Sequence, residues 1–219
     1  MKVQAIAFAT LLALAASAEA APIDWNTWTS STAGSISTTG GPVGVSFAGE
    51  PISLQTPYPS YTPTSTFADG TIVNNAPVAA NGIVQLFGGN TNLNTVTFST
   101  AVVNPVMAIW SLGQGGINAQ FAFTNATPIF VSGGPSAEYS GMPISVVGNT
   151  VFGSEGNGTV QFLGTYTSIS WTNPVYENWY GFDVGIASVA NPVPEPETYA
   201  MMLAGLGVVG FMARRRRRA

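Results

Sequence analysis

Chain breakers come too often here for a long helix to form. Between residues 21 and 193 stand 22 glycines and 13 prolines, together with 54 serines, threonines and asparagines. Glycine loses more backbone entropy on ordering than any other residue, and proline lacks the N–H that a helix interior needs. Short hydroxyl and amide side chains compete with the helix for backbone partners. No long apolar run with a 3.6-residue period survives between these breaks. What survives is a set of short β-branched and aromatic runs of period two, the pattern of strands.

Val43, Val45 and Phe47 alternate with Gly44 and Ser46. Ile83 to Phe87 ends at Gly88-Gly89, and Val96 and Phe98 alternate with Thr95, Thr97 and Ser99. Residues 106–112 are more continuously apolar, as in a strand buried on both faces. Phe121 and Phe123 alternate with Gln120 and Ala122, and residues 144–147 follow Pro143. Gly156-Asn157-Gly158 reads as a turn leading into the alternating Val160 and Phe162. Ile169 and Trp171 share one face of the next run; Phe182, Val184 and Ile186 share one face of the last. About ten short strands without crossover helices predict an all-β fold, an antiparallel β-sandwich or jelly roll. Four prolines and two tyrosines mark residues 51–66 as a long loop or linker after an N-terminal hairpin. The expected division is therefore 21–66, an N-terminal β segment with a Pro-rich loop, and 67–190, the sandwich core. An outer-membrane barrel is disfavoured, because several runs have four or five residues where spanning strands need about 9–11.

The charge distribution excludes whole chemistries. Charged residues are 7% of the 219, and there is no His and no Cys. Of six cations, Lys2 stands at the start and Arg214, Arg215, Arg216, Arg217 and Arg218 at the end. The segment 21–193 holds seven carboxylates and no cation. It can build no Ser-His-Asp or Cys-His relay, no His/Cys zinc site and no Schiff base. With nothing to replace counterions on phosphates, it binds no nucleic acid. Hydrophobic residues at 46% still permit a core without disulfides.

Both ends read as addresses. Lys2, the apolar stretch 5–16 and the small residues Ala18 and Ala20 around Glu19 form a signal peptide, residues 1–20, to be cut by signal peptidase. Residues 198–213 are uncharged and apolar. As a helix they span about 24 Å, short of a ~30 Å hydrocarbon layer unless the arginine stems snorkel. The positive-inside rule keeps the five arginines in the cytoplasm and puts the preceding domain outside the inner membrane. Gly205, Gly207 and Gly210 spell a dinucleotide fingerprint, yet no strand precedes them, so they read as small residues of a membrane helix.

Before this span stands Val193-Pro194-Glu195-Pro196-Glu197. Pro-Glu-Pro, a short apolar helix and a terminal arginine cluster together resemble the PEP-CTERM sorting signal of Gram-negative bacteria. The resemblance covers about residues 193–219. It implies recognition of Pro194, Glu195 and Pro196 by exosortase, a membrane protease-transferase. It also implies a transient inner-membrane stop at the helix and Arg214 to Arg218, and an association with exopolysaccharide and biofilm matrix. Two prolines suit such a role, since they hold the backbone extended. Residues 93–187 are also similar to β domains of some exosortase substrates, as in Ala108-Ile109-Trp110-Ser111-Leu112 and Gly133-Gly134-Pro135-Ser136; that similarity implies no activity.

Three site chemistries remain for the β domain. The carboxylates Asp24, Glu50, Asp69, Glu138, Glu155, Glu177 and Asp183 could supply a glycosidase pair, but their spacing singles out none. Glu155 with Asn157, or Asp69 before Gly70, offers hard oxygen ligands for a structural calcium; ordinary turn chemistry explains them equally. No dedicated metal site and no catalytic residue is expected. Tyr176, Trp179 and Tyr180 flank the polar pair Glu177-Asn178 and are the candidates for stacking on a glycan, whereas Trp110 and Trp171 sit in core-like patterns. Hydroxyl-rich stretches such as 27–39 read as loops. The sequence-based expectation is an exported, exosortase-processed, non-enzymatic surface or matrix protein that contacts exopolysaccharide. The alternative is a carbohydrate-active enzyme or carbohydrate-binding module using carboxylates and aromatics.

Overall fold

In a computed structural model, residues 22–56, 61–138, 140–190 and 205–206 are described. Three strands open the fold: β1 (Asp24–Ser30), β2 (Ala33–Thr38) and β3 (Gly41–Ala48). Short β4 (Ser53–Gln55), a one-turn helix α1 (Thr64–Phe67) and β5 (Ile83–Leu86) follow. The long pair β6 (Asn94–Val103) and β7 (Val106–Leu112) precedes β8 (Ala119–Phe123) and β9 (Pro128–Gly133). Next come β10 (Met142–Pro143), β11 (Ser145–Val147), β12 (Thr150–Gly153) and β13 (Gly156–Phe162). The fold closes with β14 (Thr165–Thr172), β15 (Tyr180–Ile186) and β16 (Ser188–Val189).

The fold is all-β, and every strand pair is antiparallel except β10 with β13. Two layers face each other. One runs β4-β5-β15-β7-β13-β9; the other runs β2-β3-β6-β14-β8-β12-β11. β1 joins them: Asp24 and Trp25 pair with β15, and Asn26 onward pairs with β2. One strand thus serves both layers and nearly closes the sheet into a barrel. Closure removes sheet edges that would otherwise invite pairing with another chain.

Between the layers lies an aromatic core. Trp171 stacks on Phe47 with centroids 5.8 Å apart, and its edge meets Phe182 at 5.1 Å. Phe121, Phe123 and Phe162 complete the cluster and are fully buried. Each such side chain contributes about 1.5–3 kcal/mol by leaving water. The alternation read from the sequence holds: Ile169 and Trp171 point inward from β14, and Phe182, Val184 and Ile186 from β15.

The first layer is covered on its other face too. Residues 61–81 lay Tyr61, Phe67 and Val73 over Ala108 and Trp110 of β7 and over Ile23 and Trp25. For that reason β7, β13 and β15 are buried at every position. Gly181 and Gly185 permit the close cover: a Cβ at Gly185 would stand 2.5 Å from Ile23 Cγ2, and one at Gly181 would stand 2.2 Å from Ile83 Cγ2.

Two local expectations are corrected. Gly156-Asn157-Gly158 is not a turn. It lies within β13, and the reversal comes at Ser154-Glu155, where Glu155 takes φ 56°. Asn157 is fully buried there and holds three backbone carbonyls, of Gly134, Ser140 and Glu155. Residues 27–39 are not a loop but most of the β1–β2 hairpin, with hydroxyls on its exposed face. The segments 21–66 and 67–190 share one core, because β1 pairs with β15 and β3 with β6.

Among the described residues no helix is long and apolar enough to cross a membrane. The leader with Ala18 and Ala20, the recognition residues Pro194, Glu195 and Pro196, and the arginine stop lie outside the described residues. Of the apolar span only Gly205 and Leu206 are described, as helical and exposed.

Candidate functional site

The three aromatic candidates do not share a surface. Tyr180 begins β15 and is fully buried in the aromatic core, its ring edge-on to Phe121 at 5.7 Å. Its hydroxyl cannot reach a ligand, which corrects its reading as a stacking residue. The alternation that carries Phe182 inward carries Tyr180 with it. Trp179 faces the opposite way and is half-buried against Trp110, centroids 4.8 Å apart. Tyr176 alone is open, 56% exposed.

Tyr176 stands over a hollow of about 200 Å³ bounded by Glu50, Ile52, Phe87, Gly88 and Asn90. Phe87 meets Tyr176 edge to face at 6.2 Å. Opposite the rings, the Glu50 carboxylate accepts from the side-chain amides of Asn90 and Asn92, the latter at 2.6 Å. Glu50 is positioned from below: its N–H donates to Asn94 Oδ1 at 3.0 Å. Asn94 Nδ2 in turn donates to Asn173 Oδ1, which also accepts from the Trp171 indole at 2.8 Å. Asn94 and Asn173 are both buried, so this amide chain roots the hollow in the aromatic core. A buried amide that spends its hydrogen bonds on fixed partners holds its neighbours in one geometry.

The Gly88-Gly89 loop closes the other wall. Both residues have positive φ, and a Cβ at Gly89 would stand 2.7 Å from Tyr176 Cβ. Gly89 N–H donates to the Asn173 carbonyl and Glu177 N–H to the Phe87 carbonyl. The result is a ring face beside a carboxylate and two amides, with no cation near among the described residues. Such a surface stacks on apolar C–H faces and pairs with hydroxyls. It suits a neutral polyhydroxylated ligand better than an anion. Glu50 and its asparagines escaped the sequence reading, because they come from residues 50, 90–94 and 173, which only the fold brings together.

Two larger concavities lack such a cluster. One, about 530 Å³, is lined by Asn125, Ile129, Leu163 and Tyr166; there Asn125 is spent on the Ser168 carbonyl and the Ser170 amide. The other, about 430 Å³, lies between Tyr61 and the 74–79 loop.

The proposed calcium ligands divide as well. Asp69 closes its own turn: it accepts the Thr71 hydroxyl and the amides of Thr71, Ile72 and Val73. Those bonds outweigh slight burial and hold its carboxyl below its ordinary value. Asn157 Oδ1 is taken by the Ser111 N–H. Glu155 accepts the Ser111 hydroxyl at 2.9 Å. No three acidic residues cluster among the described residues.

Residues 192–218 match the family model of the PEP-CTERM protein-sorting motif. No curated protein and no solved structure matches the chain. The motif marks an exported protein that exosortase handles at the membrane.

Proposed function

We propose that this exported protein, once processed by signal peptidase and exosortase, works outside the inner membrane as a non-enzymatic matrix or cell-surface component. Its β body binds exopolysaccharide in the Tyr176 hollow. One observation carries the reading: an exposed tyrosine stands beside a carboxylate held by two asparagines, and a buried amide chain anchors the Glu50 backbone. Sugar rings stack on the aromatic face while their hydroxyls bond Glu50, Asn90 and Asn92. Shallow single sites bind weakly, and a matrix gains strength by presenting many copies along one polymer.

The test is a glycan array, with the producing cell's exopolysaccharide included, probed with the chain recovered after export. Tyr176→Ala should weaken binding about tenfold, the equivalent of ~1.4 kcal/mol. Trp179→Phe, on the opposite side, should leave it unchanged. Binding that survives Tyr176→Ala and Glu50→Gln alike would rule out the hollow. Release of reducing ends from the polymer would replace binding by catalysis.

A further inference from the structure

Two glutamates that the glycan reading leaves unused converge at one end of β7. Glu155 sits in the turn before β13, and Glu177 in the loop before β15. Each is tied to the same short stretch. Glu155 Oε2 accepts the Ser111 hydroxyl at 2.9 Å, and the Gly113 amide lies at the Glu177 carboxylate. Their chain neighbours are clamped to the next residue: Ser154 Oγ donates to the Gln114 carbonyl at 3.0 Å, and Asn178 Nδ2 to Gln114 Oε1 at 3.2 Å. Gln114 thus bridges the two glutamate-bearing turns.

The Glu177 side chain lacks the partner that its burial demands. It is 3% exposed. Oε1 accepts the Trp179 N–H at 2.9 Å, whereas the buried Oε2 makes no hydrogen bond. Leaving a carboxylate oxygen buried and unpaired is costly. Elsewhere an arginine or lysine would answer it, but residues 21–193 contain none.

We propose that Glu155 and Glu177, drawn together over Gln114, form a binding site for a divalent cation of the calcium class. The ligands are hard oxygens: the free Oε2 of Glu177 and the Glu155 carboxylate, with water completing the shell. Calcium accepts irregular oxygen shells of six to eight ligands with water filling the rest, whereas magnesium demands a near-ideal octahedron. Two carboxylates imply a weak site, with a Kd on the order of 10⁻⁴–10⁻³ M, as in extracellular modules. Burial, together with the Glu155 charge and against the Trp179 amide, pushes the Glu177 carboxyl up to about 7.

The experiment is thermal unfolding of the full chain in mild detergent, with calcium chloride titrated to 10 mM at pH 8. The expected result is a Tm rise of about 3–6 °C. It should be smaller with magnesium, and should be lost in both Glu177→Gln and Glu155→Gln. Either variant keeps side-chain size, and each reports independently should the other fail to fold. A Tm unmoved by calcium at pH 8, or a rise that persists in both variants, overturns the site.

Discussion

Asp183 shows what one buried acid does to a chain without cations. It is fully buried in β15. Its Oδ1 accepts the Val184 N–H at 2.8 Å and Asn26 Nδ2 at 3.5 Å, while Oδ2 makes no hydrogen bond. Burial pushes the carboxyl well above its ordinary value of 3.8, despite the Val184, Asn26 and Trp28 groups that favour its charge. A raised carboxyl holds its proton in the folded state after the unfolded chain has released it. Stability is therefore full below about pH 4 and is lost as pH rises toward the folded value. Glu177 acts in the same direction between 4.5 and about 7. Asp69 acts oppositely: its contribution is present above 3.8 and disappears as pH falls below that. Asp69 titrates below this window, so in calcium-free buffer Tm should fall between pH 5 and pH 8. Asp183→Asn keeps the Oδ1 acceptor and removes the titration, so it should flatten that slope. An unchanged slope in Asp183→Asn would remove Asp183 as its source. At this scale the sequence showed an acid sharing its strand face with Gly181 and Gly185, between the core residues Phe182 and Val184. Nothing in it showed that the residue would be buried rather than solvated, because the cover comes from Tyr61, over a hundred residues earlier.

Elements were legible where local alternation decides them. The runs of β3, β6, β14 and β15 bury the residues their period of two assigns, because a strand exposes one face to the core whatever its neighbours are. The turn before β13 was misplaced. Gly-Asn-Gly ordinarily reverses a chain, but Asn157 finds carbonyl partners from the 134–140 segment that only tertiary contact supplies. The hydroxyl-rich hairpin of β1 and β2 was likewise hidden, since its apolar face rests on Trp28 and Ile36 alone among many polar residues. Element β15 yields its own prediction. Gly185→Val would drive a Cβ into Ile23 and Trp25. Overpacking of this kind costs about 1–3 kcal/mol. Chemical denaturation should show it as a lower midpoint with an unchanged slope; an unshifted midpoint would mean that Ile23 and Trp25 yield to the added side chain.

At the scale of the whole molecule, the export address and the β body were separable by reading alone. The sorting motif, residues 192–218, is legible because recognition of a linear signal needs only consecutive residues. Intact-mass measurement of the protein recovered from outside the inner membrane should show a chain starting at Ala21 and lacking the apolar span and Arg214 to Arg218. A mass that still includes the five arginines would contradict exosortase processing. Deleting residues 194–219 should leave the fold intact, since the cores use residues 23–186. The amino-acid order by itself determined the all-β class, the absence of His, Cys, Lys and Arg from residues 21–193 and the address, because periodicity, composition and linear motifs are properties of neighbouring residues. Tertiary structure alone decided that β1 joins the two layers, that Tyr180 is core and Tyr176 surface, and that the turns carrying Glu155 and Glu177 both dock on Gln114. Those outcomes depend on contacts between segments tens of residues apart, and such contacts leave no trace in local spacing.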